Sequence, residues 1–262
     1  AATMSNPMDF VSPTEHVELP SRGKGYPQGH PLYNQETIEI KYMTAKEEDI
    51  LSSRSLLKKG LAIERLIESV ICDRNISAKE LLVGDRNSIL IAARRSAYGN
   101  IYSTKVTCPS CNSVGEHDFD LNESSFYEGE GYEEYNIETT PQGLFKVILP
   151  ITAFVIEYRL LKGQDELEMV KRAQKVAKQK VMEQNVSDQL RKFIVSVNGY
   201  TELKVINHAI KNLPAKDSIF LRSAYKASSP DIKISDDFSC SSCGFEQELE
   251  VPFGADFFWP NR

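Results

Sequence analysis

Histidine, tryptophan and cysteine are scarce in this chain: four, one and five among 262 residues. His16, His30 and His208 have no recognisable partner in sequence, and no nucleophile–base motif is visible. That argues against chemistry built on an activated serine or cysteine. Long apolar runs are also missing. The most apolar stretch, 144–161, is broken by Lys146, Pro150, Glu157 and Arg159, so no membrane-spanning helix is expected. No signal peptide is expected at the start. Positive charge is not in excess: 31 Lys and Arg stand against 37 Asp and Glu, for a net charge of −6. A nucleic-acid binder ordinarily carries a basic footprint, and this chain has the opposite balance. An odd number of cysteines does not suit an extracellular disulfide framework. With 41% hydrophobic and 26% charged residues, what remains is an ordinary globular chain with ample core, in one large domain or two moderate ones.

Four of the five cysteines come in pairs. Cys108-Pro109-Ser110-Cys111 is one C-x-x-C and Cys240-Ser241-Ser242-Cys243 is the other. A two-residue gap lets both sulfurs of a pair face one ion across a tight turn, and two such pairs complete a tetrahedral zinc shell. The residue after each pair must often adopt a left-handed backbone. Asn112 and Gly244, which tolerate it best, stand there. Strand-like segments flank both pairs: 101–107 and 116–121, then 233–238 and 245–251. This is the pattern of a zinc ribbon, two hairpins each offering a knuckle. Residues 112–239 separate the pairs, far more than the usual spacing of about 15–20, so a shared site requires a subdomain inserted between the knuckles. Free thiols and two independent redox pairs are the alternatives. Redox pairs normally open helices, which these do not. Four thiolates leave no open position for water, so the ion is expected to be structural rather than catalytic. Cys72, in the apolar run 61–72, is expected to be an inert core residue. His117, near the first knuckle, is a spare ligand that four thiolates make unnecessary.

Residues 1–36 are rich in proline and glycine and read as an extended arm, either disordered or draped over a partner. A short strand follows within 37–43. Thr44-Ala45-Lys46-Glu47 is a capping box that opens a helix running to about Lys59, stopped by Gly60. A second helix spans 61–72. Asp85 is expected to cap a third that runs to Tyr98, with Ile89, Ile91, Ala92 and Ala93 inward and Arg86, Arg94 and Arg95 more exposed. The insertion begins with an acidic loop, 122–135. A hairpin follows, 144–149 with 154–161, then helices over 165–183, 187–197, 203–213 and 215–227. The chain returns to the ribbon at about 231. It ends in an aromatic tail holding Phe253, Phe257, Phe258 and Trp259.

Two Gly-x-Gly runs, at Gly23 and Gly129, complete no phosphate-binding signature. A basic stripe on the 165–183 helix (Lys171, Arg172, Lys175, Lys178, Lys180) is diluted by Glu166, Glu168 and Glu183 and reads as a solvated face. In the ribbon strands, Lys105 stands against Glu116, Asp118 and Asp120. Lys233 stands against Asp231, Asp236, Asp237, Glu246, Glu248 and Glu250. That balance would repel phosphates. The tail has two readings: it folds onto its own core, or Phe257, Phe258 and Trp259 anchor it in another subunit.

Several runs resemble the T-even-type phage baseplate hub assembly proteins. These are Leu19-Pro20-Ser21-Arg22-Gly23-Lys24-Gly25-Tyr26-Pro27, Ile38-Glu39-Ile40, and Met43 through Leu51. Further on come Leu81-Leu82-Val83-Gly84-Asp85-Arg86-Asn87, Ile91-Ala92-Ala93-Arg94, Tyr98-Gly99, Thr107-Cys108-Pro109-Ser110-Cys111 and Asp256-Phe257-Phe258-Trp259-Pro260. The resemblance covers roughly 19–120 and 231–260 and leaves 121–230 unmatched. It implies a non-enzymatic part in building the hub of a contractile tail, as resident subunit or assembly chaperone. The implied partners are other tail and baseplate proteins, and no small-molecule substrate. The implied location is host cytoplasm during assembly and the virion tail baseplate.

The expected fold is therefore α+β: an extended arm and strand (1–43), a helical unit (44–100), a split four-cysteine zinc ribbon (101–121 with 231–252), an inserted hairpin and helix-rich subdomain (122–230) and an aromatic tail (253–262). The expected ligands of a structural Zn2+ are Cys108, Cys111, Cys240 and Cys243. Competing functions are a zinc ribbon that binds nucleic acid, which predicts salt-sensitive association, and a thiol oxidoreductase, which needs a reactive low-pKa thiol.

Overall fold

Alternating residues in two segments of the first forty place Val17, Ile38 and Ile40 on one side, where they are buried. The segments pair antiparallel as β1 (Thr14–Glu18) and β2 (Thr37–Lys41), with Val17 opposite Ile38. The structure, a computed structural model, describes residues 11–169, 171, 185–251 and 255–258. Within them the first segment is no free arm, contrary to the sequence expectation. Leu19, Tyr26 and Leu32 are buried between β1 and β2. The turn between them needs Gly23, whose φ is +72°, since a Cβ there would lie 2.4 Å from the Leu32 carbonyl oxygen. Proline and glycine here shape a tight packed turn rather than an extended arm.

The expected capping box is present at the start of α1 (Ala45–Ser52): the Thr44 N–H and hydroxyl donate to the Glu47 carboxylate at 2.9 and 2.6 Å. Burial opposes the charge on Glu47, but bonds from Ser69 and Thr44 and the nearby Lys41 outweigh it and bring its pKa to about 2. The helix does not continue to Lys59 unbroken. Ser53 is extended (ψ 107°), separating α1 from α2 (Arg54–Lys59). The Ser52 hydroxyl bonds the Asp49 carbonyl and the Ser53 and Ser55 hydroxyls pair, the local competition that makes serines poor helix-interior residues. Gly60 then ends α2 in the left-handed conformation. Cys72 lies beyond α3 (Ala62–Val70), half-buried rather than in the core, its N–H bonded to the Glu39 carbonyl.

Helix α4 (Val83–Tyr98) is buried from Gly84 to Arg94 apart from the half-buried Asn87, and its arginines correct the expectation. Arg86 and Arg94 are buried, and only Arg95 is exposed. Each buried guanidinium finds an internal partner: Arg86 meets Glu64 and Glu166, and Arg94 donates to the Phe257 carbonyl at 2.7 Å. Asp85 does not cap the helix. Its buried carboxylate accepts from the Ser21 N–H (3.1 Å), the Ser21 hydroxyl (2.7 Å) and the Tyr26 hydroxyl (2.8 Å). The Tyr26 oxygen in turn accepts the Leu82 N–H at 3.0 Å. Gly84 lets the chain press closer still, since a Cβ there would lie 2.1 Å from the Pro230 carbonyl oxygen.

After α4 come the antiparallel pair β3 (Ile101–Thr107) and β4 (Val114–Asp120). The expected loop at 122–135 contains a strand, β5 (Ser125–Tyr127), paired with β10 (Asp231–Lys233). A four-stranded antiparallel sheet follows in order: β6 (Glu138–Thr139), β7 (Phe145–Ile148), β8 (Val155–Tyr158), β9 (Ile194–Val197). The expected hairpin is β7–β8. The helix expected over 187–197 ends early: α5 is Asn185–Phe193, and Ile194 to Val197 join the sheet. Ile194, Val195 and Val197 are β-branched, and Asn198-Gly199 is a turn pair with φ of 50° and 81°, so strand chemistry overrides the helical pattern. Helices α6 (Leu203–Asn212) and α7 (Ala215–Ser228) lie close to expectation. Residues 163–169 are helical. Most of the anticipated basic stripe (Arg172, Lys175, Lys178, Lys180) falls outside the described residues. Then β11 (Ser235–Ser239) and β12 (Glu246–Glu250) form the last hairpin.

One buried apolar cluster draws Ile40, Leu66, Ile89, Tyr102, Phe119, Phe145, Tyr158, Phe193 and Leu221 together, so the first strands, helical unit, first hairpin and inserted sheet share a core. A satellite cluster holds Cys108, Phe238 and Cys240. Replacing Asp85 with alanine would leave three buried donors from Ser21 and Tyr26 without an acceptor, at about 1–3 kcal/mol each before relaxation. We expect urea denaturation of Asp85→Ala to show a loss of about 3 kcal/mol, and a loss under about 1 kcal/mol would contradict this role.

Candidate metal centre

Each cysteine pair sits at the tip of a hairpin, Cys108–Cys111 between β3 and β4 and Cys240–Cys243 between β11 and β12. The two turns repeat each other bond for bond. The Cys108 N–H donates to the Ser113 carbonyl at 2.9 Å, and the Cys240 N–H to the Phe245 carbonyl at 2.8 Å. Asn112 N–H returns to the Cys108 carbonyl, and Gly244 N–H to the Cys240 carbonyl. Asn112 (φ 58°) and Gly244 (φ 69°) are both left-handed, as their residue types anticipated. In each turn the first cysteine is buried and the second exposed.

The distant turns meet. All four sulfurs lie within 4.8 Å of one another. Cys108 Sγ is 3.8 Å from Cys243 Sγ, and Cys111 Sγ is 3.7 Å from Cys240 Sγ. These are too long for disulfides, whose sulfurs lie about 2.05 Å apart. They match the edge, about 3.8 Å, of a tetrahedron with metal–sulfur bonds of about 2.3 Å. Four thiolates are a soft donor set that suits zinc, and a tetrahedral shell made of them would leave no position for a reacting water.

The electrostatics agree. Four adjacent thiols cannot all ionise without a cation. The Ser113 hydroxyl and the Cys243 and Ser242 N–H groups draw Cys240 down to about 6. Cys111 is also lowered, first by the Ser113 hydroxyl. Cys243 is pushed up to about 11: the Phe245 N–H favours its thiolate, but the sulfurs of Cys111, Cys240 and Cys108 outweigh that bond. A divalent cation at the centre would relieve the conflict for all four.

Around the sulfurs the hairpins pack through Val106, Phe238, Phe245 and Leu249. His117 is not part of the sulfur cluster. Its Nε2 is 3.1 Å from Asp236 Oδ2, and its ring meets Phe119 and Phe238 edge-on, so it ties one hairpin to the other. That cross-link and the Ser113 hydroxyl were missed in sequence, where no spacing rule marks either. On the solvent side of the second hairpin Asp237 lies directly opposite Glu248, with Glu246 and Glu250 on the same strand.

The aromatic tail turns inward. Phe257 and Phe258 are 1% and 2% exposed, so these two rings belong to the chain's own core and are not free anchors for another subunit. Phe257 packs edge-on against Tyr102 (5.0 Å), and the Arg94 guanidinium lies 5.9 Å from its ring centre and 5.5 Å from that of Tyr102. Arg94, which sequence reasoning placed near the surface, is what the tail closes on. Trp259 and Phe253 lie outside the described residues.

The family model described as T4 bacteriophage base plate protein matches residues 12–259, which include both turns and the buried tail rings. Searches of the curated proteins and of the solved structures returned no match.

The purified chain is expected to bind one zinc per molecule by elemental analysis. A chelator, or acidification that protonates the thiolates, should remove the ion and lower the melting temperature. Cys108→Ser should abolish uptake, and a chain holding less than half an equivalent of zinc after reconstitution would refute the site. Arg94→Met should cost roughly 1–3 kcal/mol, because the buried hydrogen bond from Arg94 to the Phe257 carbonyl is lost. Limited proteolysis should then cut the last residues faster, and an unchanged cleavage rate would deny Arg94 that role.

Proposed function

The chain belongs to the T4 bacteriophage base plate protein family, and from that premise we propose that it works in the hub region of a contractile phage tail, through protein–protein contacts on a zinc-stabilised scaffold. The family match over residues 12–259 carries the reading: it supports a structural component of the tail baseplate whose associates are other phage proteins. No helix among the described residues is long and apolar enough to cross a membrane. A baseplate family is typically non-enzymatic, and we read this chain as having no substrate.

A zinc ion held by Cys108, Cys111, Cys240 and Cys243 would join the two ends of the segment 112–239. The ion would supply only cross-linking; the cysteines, their backbone bonds and the His117–Asp236 pair do the positioning. Structural zinc contributes apparent free energies of about 10–16 kcal/mol in small zinc-finger peptides. A protein with a separate large core needs less of it for folding, so the ion serves chiefly to hold the ribbon rigid. The acidic outer face of the second hairpin disfavours the nucleic-acid alternative, because phosphates would be repelled there.

We read the chain as assembling in the host cytoplasm and acting in the tail, either as a resident subunit or as a chaperone that leaves. Quantitative mass spectrometry of purified tails and of hub assembly intermediates tests this. A fixed whole-number copy in finished tails identifies a subunit, and presence in intermediates alone identifies a chaperone. Absence from both rejects the hub reading.

A further inference from the structure

The two knuckles match in their backbone bonds but differ at one side chain. Ser113 and Phe245 occupy equivalent positions, five residues after the first cysteine of each pair, and each carbonyl accepts that cysteine's N–H. Phe245 carries no hydrogen-bonding group. Ser113 does, and it is half-buried beside the sulfurs. Its hydroxyl oxygen lies 3.0 Å from Cys111 Sγ in its own knuckle and 3.3 Å from Cys240 Sγ in the opposite one. Among the described residues it is the non-cysteine side chain at hydrogen-bonding distance from the sulfurs, and it reaches both hairpins.

Four thiolates around a divalent cation carry a net charge of about −2. Donors that point at the sulfurs are needed to stabilise that excess. The strands around this centre supply carboxylates such as Glu116, Asp236 and Glu246 in number, and few cations. On the zinc reading above, we propose that Ser113 is a further positioning residue of the metal centre: its hydroxyl lies between Cys111 and Cys240, donates to one of these thiolates and sets the electron density on that sulfur, and in donating to Cys240 it links the two knuckles. The hydroxyl has one proton and can donate to one sulfur at a time. Among the described residues the centre is therefore asymmetric in its side-chain donors despite its matched turns: Ser113 stands on the Cys111–Cys240 edge, and the Cys108–Cys243 edge has a backbone donor, the Phe245 N–H, but no such hydroxyl. Partners beyond the ligand shell of this kind change metal affinity by roughly 10–100-fold when removed.

The test is metal binding by the full chain, with Zn2+ affinity from competition with a chromophoric chelator and Co2+ as the spectroscopic probe. Ser113→Ala should weaken zinc roughly 10–100-fold. It should also move the sulfur-to-cobalt charge-transfer band to longer wavelength, because a thiolate that loses a donor gives up its electrons more easily. Ser113→Thr, which keeps the hydroxyl, should restore both. Ser241→Ala, an exposed serine inside the other knuckle, should change neither. If Ser113→Ala binds zinc as tightly as the unaltered chain, with an unmoved cobalt band, the assignment is wrong. If the unaltered chain takes up neither zinc nor cobalt, the metal reading fails and takes this inference with it.

Discussion

Four sulfurs confined within 4.8 Å impose a closure on this chain. Cys108 and Cys240 stand far apart in sequence, so their meeting requires everything between them to fold back to its starting point. The chain leaves through β4 and returns through β10 and β11. The outgoing β5 and the returning β10 pair with each other. The turns meet without strain because each is locally complete, with its own backbone bonds and its own left-handed residue.

A second closure acts within the main core. Asp85 accepts three donors from Ser21 and Tyr26, and Arg94, on the same helix, holds the Phe257 carbonyl. One helix thus anchors a segment from the start of the chain and one from its end. Both anchors are buried polar groups, which are costly unless fully partnered and therefore specify a single arrangement. Among the runs that resemble a known family, 19–27, 81–87, 91–94 and 256–260 hold the residues joined here.

For a structural component of a baseplate, such an architecture supplies a body in which residues 14–41 and the rings of Phe257 and Phe258 are packed onto the core before any partner arrives. Rigidity of this kind lowers the entropy lost on docking. The aromatic rings of Phe257 and Phe258 contribute to that internal order. The acidic outer face of the second hairpin and the exposed second cysteine of each turn remain at the outside of the fold.

Local chemistry determined much from sequence alone. The capping box at Thr44, the stop at Gly60, the hairpin β7–β8, the paired cysteines and the left-handed Asn112 and Gly244 were all legible, because each depends on residues within a few positions of one another. The errors share the opposite cause. The proline- and glycine-rich first segment looked free because its partners, Asp85 and Leu82, lie some sixty residues on. Arg86 and Arg94 looked exposed because charge normally seeks water, and only the surrounding elements reveal Glu64, Glu166 and the Phe257 carbonyl. Residues 194–197 carried a helical period yet became a strand, because β8 offered an edge to pair with. Spacing within each C-x-x-C named the candidate ligands. That the two pairs share one centre, with Ser113 between them, was decided by tertiary structure, since proximity across more than a hundred residues is a property of packing rather than of any local pattern.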